Sequence, residues 1–459
     1  MGEPDRNGRL VGKRWLERWR EDRLLRTVVR NSSYLFSANT ISMGLVSLQG
    51  LLSAALLNVG DYGLLGMIIV YASNINRLLS FRMNELVIKY AGQALAEDNR
   101  QRAAAVIKTA AISEAFTSLT AYGVLILTAR LAAVCIIKDE RAAVWIVLYG
   151  LALLANLVTE TSMAVLQLGS HFRTLALLNL SQNVLTAGWI GTVFVLRGGL
   201  FDVLMAYLAG KFLYGLGLMI AALYWMPQLA GRDWWRTPLS VLSGKKELAR
   251  FALSTNLSQT VNMLIRDNEV LWVGYFLSPV EAGYYKFALA IMNVIVLPIS
   301  PFIQTTFPEI NRAVTLQIWG RLRSLLRRTS LIAAGWSIVA GVGMLVFGPL
   351  LLRLFKSGAY LPAFPVILVL FAGFSFANLF YWNRPLLLAL GNPNYPLVIT
   401  FLVGFIKTVL MFLLVRPFGV MMQAILMSGY FIISIALIVV KGLRQVYHLE
   451  KTTEQVQPA

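Results

Sequence analysis

The chain has 459 residues, 57% of them hydrophobic and 14% charged, with a mean hydropathy of +0.66. Soluble domains carry about 25% charged residues, so this composition excludes a soluble enzyme, a disordered chain and a secreted disulfide scaffold. A net charge of +19 in so apolar a chain points to cytoplasmic loops that obey the positive-inside rule, and no nucleic-acid partner is expected.

Residues 1–30 carry nine basic residues and no apolar stretch, so no cleavable signal is expected there. Trp15 and Trp19, four apart, fit either a short helix on the anionic leaflet or a basic tail. Apolar runs of about 20–25 residues, the length that spans ~30 Å of hydrocarbon, follow. They are continuous, unlike the alternating strands of a membrane barrel. We read twelve spans, at 34–57, 63–88, 103–129, 143–167, 173–196, 201–226, 251–277, 282–307, 327–350, 363–388, 395–415 and 418–440.

An even number of spans puts both termini on one side. With that side cytoplasmic, 28 of the 41 basic residues face the cytoplasm, seven lie opposite and six fall within spans. The bias predicts a multi-pass inner (plasma) membrane protein with both termini cytoplasmic. The expected divisions are a basic cytoplasmic segment (1–30), a first lobe (31–226), a cytoplasmic linker (227–250), a second lobe (251–443) and a cytoplasmic tail (444–459).

The two lobes resemble each other. Tyr34-Leu-Phe-Ser-Ala-Asn39 recurs as Phe251-Ala-Leu-Ser-Thr-Asn256, and Asp61-Tyr-Gly63 as Glu281-Ala-Gly283. Gly169 and Gly391 each follow the fourth span of their half, and Gly199 and Gly419 sit at the fifth turns. Six spans per repeat give both copies one orientation, related by an axis along the membrane normal. The predicted fold is all-α and polytopic, with about twelve transmembrane helices in two pseudo-symmetric six-helix lobes around a central cavity.

Charged groups at mid-bilayer are expensive and usually face a cavity or a partner. The cations within spans are Arg77, Arg82, Lys211, Arg266, Lys286 and Lys407; the acids are Glu85, Glu114, Glu160, Asp267 and Glu269. In the seventh span, Thr255, Gln259, Asn262, Arg266 and Glu269 repeat at helical spacing on one face. In the second, Asn74, Arg77, Asn84, Glu85 and Lys89 share a face about 140° wide at 100° per residue. Arg77, Arg82, Lys211, Arg266 and Lys407, with Asn74, Gln259 and Asn262, are candidate substrate-binding groups, a ladder of positive charge suited to an anion such as phosphate. Glu85, Glu114, Glu160, Asp267 and Glu269 are candidate ion-coupling groups. The architectural alternative pairs Arg77 or Arg82 with Glu85, pairs Arg266 with Glu269 or Asp267, and lets Glu114 and Glu160 accept hydrogen bonds from neighbouring helices. Lys286, close to a span end, is expected to snorkel. Pro298, Pro301 and Pro308 can break the eighth span into a hinge.

No GxxxxGK[ST] loop, HExxH or CxxC occurs. Cys135 is alone, and His171 and His448 lie far apart in sequence, so neither metal site, catalytic residue nor cofactor is expected. Short outer loops, with Asp61, Asp139, Glu140, Asp202 and Glu281 as their only carboxylates, argue against a membrane glycosyltransferase or ligase.

The order of Asp61-Tyr-Gly63, Arg266-Asp-Asn-Glu269, Gly274-Tyr-Phe, Glu281-Ala-Gly-Tyr284, Pro298, Pro308-Glu309, Gly391-Asn-Pro and Arg416-Pro-Phe-Gly419 resembles the polysaccharide-transport (Wzx-like) flippases of the multidrug/oligosaccharidyl-lipid/polysaccharide superfamily. The resemblance covers about residues 30–445. It implies a V-shaped cavity between two six-helix lobes. It also implies ion-coupled movement of a polyprenyl-pyrophosphate-linked oligosaccharide to the outer leaflet, without covalent change. Implied partners are that substrate, the lipid bilayer, and a polysaccharide polymerase or glycosyltransferases as candidates. Asp267 matches the family's frequent seventh-span Asp. Lipid II flippases, which usually have fourteen spans, and multidrug extruders, whose lumen should be acidic, are the rival readings within the superfamily.

Overall fold

A computed structural model of the protein describes residues 23–79, 83–241, 248 and 267–456. The Trp15/Trp19 segment, Arg82, and the seventh-span residues Thr255, Gln259, Asn262 and Arg266 lie outside this description. The described residues form helices and turns, in the order α1 Arg23–Leu56, α2 Val59–Leu79, α3 Met83–Ala96, α4 Arg100–Leu131, α5 Ala142–Ala155, α6 Thr159–Leu168, α7 Phe172–Val195 and α8 Leu200–Ala230 in the first half. The second half holds α9 Glu269–Phe276, α10 Pro279–Val296, α11 Ser300–Thr315, α12 Trp319–Leu354, α13 Phe364–Leu379, α14 Asn383–Ala389 and α15 Asn394–Val456.

Eight helical stretches among the described residues are long and apolar enough to cross a membrane. The difference from the twelve expected spans has local causes. Asn179, Gln182 and Asn183 make α7 too polar to register. Most of span 251–277 is outside the described residues. The span expected at 282–307 is divided between α10 and α11 at Leu297–Ile299, next to Pro298 and Pro301. The last two spans form one run, α15, folded at Gly419 with φ +73° and ψ −168°. At 1.5 Å per residue a straight α15 would be about 95 Å long, far beyond a bilayer. Only glycine adopts that backbone angle readily, and Pro417 just before it weakens the helix.

The fourth span of each half is also broken: α5 gives way to α6 at Asn156–Val158, and α13 to α14 at Phe380–Trp382. No proline or glycine marks the first break, whereas Pro385 stands in the first turn of α14 just after the second. Each is stitched by side chains from elsewhere. In the second half, Trp382 Nε1 donates to Ser330 Oγ at 2.8 Å, and Ser330 donates to the Leu379 carbonyl at 2.9 Å.

The internal repeat is visible in the helix ends. Asn58 Oδ1 accepts from the Asp61 amide at 2.8 Å and Ser278 Oγ from the Glu281 amide at 3.3 Å, so α2 and α10 start with the same cap. Asp98 and Gln317 both take left-handed φ, +55° and +57°. The amides that follow them, Asn99 and Ile318, reach back to the Ala94 and Ala313 carbonyls, closing matched C-terminal turns. Ser170 (φ +59°) corresponds to Gly391 (φ +77°), with His171 bonded to Leu166 and Asn392 to Leu387. The left-handed residue in the first copy is therefore Ser170 and not Gly169. Likewise, Gly419 has no left-handed equivalent at Gly199, which is extended; Arg197 (φ +56°) reverses the chain there.

Candidate functional site

The halves meet at a crossing of α2 and α10. A Cβ on Gly63 would lie 1.9 Å from the Pro279 carbonyl oxygen, and one on Gly283 would lie 2.1 Å from the Val59 carbonyl oxygen. The contact is self-complementary: the fifth residue of each helix packs on the first residue of the other. That explains why an acidic residue and a glycine recur two positions apart in both halves. The acid belongs to the capped first turn, and the glycine lets two backbones touch. Gly66 continues the stripe against the Lys286 side chain, and Gly274 of α9 receives Met67.

Polar contacts close the same end. Lys286 turns back onto the first half. Its ammonium donates to the Tyr62 carbonyl at 3.1 Å and stands 4.0 Å from the Tyr62 ring. Lys138 donates to the Leu277 carbonyl at the end of α9, at 3.1 Å. Nearby, the Arg141 guanidinium lies 2.7 Å from Asp139 and holds that carboxyl below the usual carboxylate range. Elements α3, α6, α7 and α8 pack mainly within the first half, and α12 to α15 mainly within the second.

Two charge pairs follow, and they differ in kind. Arg77, in the last turn of α2, meets Asp267, just before α9, with Nη1 to Oδ2 at 2.5 Å. This joins the halves, yet the two side chains stay 50% and 45% exposed. An ion pair so open to water contributes about 0–1 kcal/mol. Lys407 of α15 meets Glu269 of α9, and here the side chains are 3% and 4% exposed. Glu269 also accepts from Tyr285 Oη at 2.9 Å and from Gln423 Nε2. This carboxylate is enclosed by an ammonium, a phenol and an amide inside the second half.

The expected charge ladder is thus divided. Arg77 lies at the boundary of the halves, with Lys211 of α8, partly buried, within its electrostatic reach. Lys407 is sealed away from that boundary. Asn74 is buried on α2. Arg82, Arg266, Gln259 and Asn262 lie outside the described residues. The pairings differ from those expected along single helices, since Arg77 takes Asp267 and not Glu85, and Glu269 takes Lys407.

Glu114 of α4 is buried and accepts from the Glu160 amide at 2.8 Å, the Thr161 amide at 2.9 Å and Thr161 Oγ1 at 2.7 Å. Val158, at the start of α6, has no side-chain acceptor. Glu114 therefore caps α6 from another helix, setting a carboxylate at a helix N-terminus. Glu160 receives the Asn84 amide at 3.4 Å, and Asn84 also donates to Gln167. Both carboxylates accept hydrogen bonds from neighbouring helices. Glu85 is exposed on α3. Glu114→Ala should lower stability by about 1–3 kcal/mol by leaving buried amides unpaired, with Glu114→Gln milder because it keeps an acceptor. Thermal unfolding in detergent reads the order; equal effects of the two would contradict the capping role.

Sequence reasoning missed Gln423, Tyr285 and the α1–α7 seam, where Gln49 donates to the Asn183 carbonyl at 3.0 Å and Asn179 to Asn39. A lone amide in an apolar span was the available signal for Gln423 and Gln49. His171 stacks on Trp225 with centroids 3.7 Å apart, and burial pulls its imidazole below the ordinary range.

Comparisons with known proteins place this geometry. The family model described as polysaccharide biosynthesis protein matches residues 28–314. The chain belongs to that family. A relative within reach is the inner membrane protein YghQ of Escherichia coli (strain K12), 23% identical over 77% of this chain and 99% of its own length. An inward-facing multidrug resistance MATE family transporter of the MOP superfamily is similar in fold, with a TM-score of 0.70 at 15% identity, covering 90% of this chain and 96% of its own. The lipid II flippase MurJ in an inward closed conformation gives 0.68 at 13% identity, covering 91% and 90%. This member of the polysaccharide biosynthesis family is thus an all-α, multi-pass membrane protein with the fold of that transporter superfamily.

Proposed function

We propose that the chain moves a polyprenyl-pyrophosphate-linked oligosaccharide from the cytoplasmic to the outer leaflet of the inner membrane by alternating access, for assembly of a cell-surface polysaccharide. The observation that carries this is Arg77, a half-exposed guanidinium held at the boundary of the two halves, with Lys211 of α8 within its electrostatic reach. A fork of N–H donors with a second cation nearby suits a pyrophosphate bridge, while the prenyl tail stays in lipid.

Family membership supports the substrate class, and the inward-facing relative supports the direction of opening. In this reading the α2–α10 crossing is the outer gate, both termini are cytoplasmic, and residues 31–226 and 251–443 move as lobes. Glu85, Glu114, Glu160, Asp267 and Glu269 remain the groups available for coupling to an ion gradient. Of these, Asp267 faces the boundary, whereas Glu114 and Glu269 are committed to buried networks.

The test is leaflet exchange of a fluorescent polyprenyl-pyrophosphoryl oligosaccharide in proteoliposomes. Arg77→Ala with Lys211→Ala should lower the rate at least about tenfold, the scale of losing a charge-assisted phosphate contact, with folding intact. Unchanged transport in the double variant would remove the anion path. Efflux of organic cations without lipid transport would favour a drug extruder.

A further inference from the structure

The two ion pairs at the start of α9 invite opposite roles. Lys407–Glu269 is enclosed and fully engaged. Arg77–Asp267 is open to water and one-handed: the contact runs through a single guanidinium nitrogen and a single carboxylate oxygen. A guanidinium fork can serve two oxygens at once, so this carboxylate uses only part of what Arg77 offers. Asp267 precedes the first turn of α9 and belongs to the half opposite Arg77. Carboxylate and phosphate present the same kind of oxygen to the same donors, and a phosphoryl anion carries more charge. An anion that takes the whole fork of Arg77 must therefore displace Asp267 from Nη1, and displacing Asp267 removes a tie between the halves.

We propose that Asp267 is a tethered competitor for the phosphoryl site on Arg77, holding the guanidinium and joining the halves until a pyrophosphate group exchanges for it. Substrate entry and release of the inter-half tie are then one event. This rests on the flippase reading and deepens it by assigning Asp267 the control of headgroup affinity. The site strikes a balance between affinity and release: without the competitor, the headgroup binds tighter and leaves more slowly.

The test is binding of inorganic pyrophosphate to the purified full chain by calorimetry, in a phospholipid-free detergent so that headgroup phosphates do not occupy the site. Asp267→Asn should bind pyrophosphate roughly three- to fivefold tighter than the natural chain, the scale of removing an exposed ion-pair competitor. Asp267→Ala should shift in the same direction, and Arg77→Gln should lose most of the binding. In the lipid assay, Asp267→Asn should transport more slowly despite its tighter binding. Equal or weaker binding by both Asp267 variants overturns the competitor role and leaves the flippase reading standing. No pyrophosphate binding by any form overturns both.

Discussion

Glu269→Ala is expected to lower the stability of the protein by about 3–5 kcal/mol, the scale of stranding one partner of a buried ion pair. The ammonium of Lys407 would remain in a site 3% exposed with its carboxylate gone. Tyr285 and Gln423 would lose their acceptor in the same step, and both are fully buried. Glu269→Gln should cost less, because an amide oxygen still accepts from Tyr285. Replacing Glu269 and Lys407 together by leucine and methionine should recover much of the loss, since a matched apolar pair leaves no buried charge. Unfolding of the purified variants in detergent reads these differences. A single Glu269→Ala change costing under about 1 kcal/mol would show that the network is not closed as described.

Gly63→Leu is the second large effect. The substituted Cβ would fall on the Pro279 backbone carbonyl, so no rotamer relieves the clash and the two helices must separate. Overpacking of this kind costs about 1–3 kcal/mol, here charged to the state in which α2 and α10 touch, a roughly 5- to 150-fold change in its population. Gly283→Val should act alike through the Val59 carbonyl. Gly188→Ala, with nothing within 4 Å, is the matched control. Spin-label distances between Arg141 and Glu281 should lengthen in the first two variants and not in the third. Unchanged distances in Gly63→Leu would remove the crossing as a closed gate.

These two sites differ in how far they could be read from sequence. At the crossing the sequence showed the repeat and not the contact: two requirements, an acidic capped turn and a glycine, write the same short pattern at Asp61-Tyr-Gly63 and Glu281-Ala-Gly283. The charged network was legible only as a list of polar residues. Helix-face arithmetic treats each helix alone and so offers Glu85 to Arg77 or Arg82, and Glu269 or Asp267 to Arg266; among the described residues the chain pairs Arg77 with Asp267 and Glu269 with Lys407, 190 and 138 positions apart. The break at Asn156–Val158 left no local mark because its unpaired backbone is satisfied from another helix, by Glu114; the break at Phe380–Trp382 is followed by Pro385 and is held by Ser330 of α12. Ser170 standing where Gly391 stands shows the same limit: the turn is imposed by its hydrogen bonds, and glycine is only the easiest residue to place there.

The most direct measurement for alternating access is transport with the crossing locked. A Cβ on Gly60 would lie 3.6 Å from the Val280 side chain. Cysteines at these two positions, in a Cys135→Ser background that removes the single native thiol, should therefore form a disulfide. The account predicts that lipid-oligosaccharide transport stops in the oxidised protein and returns on reduction. Transport at the natural rate with the cross-link complete would contradict it.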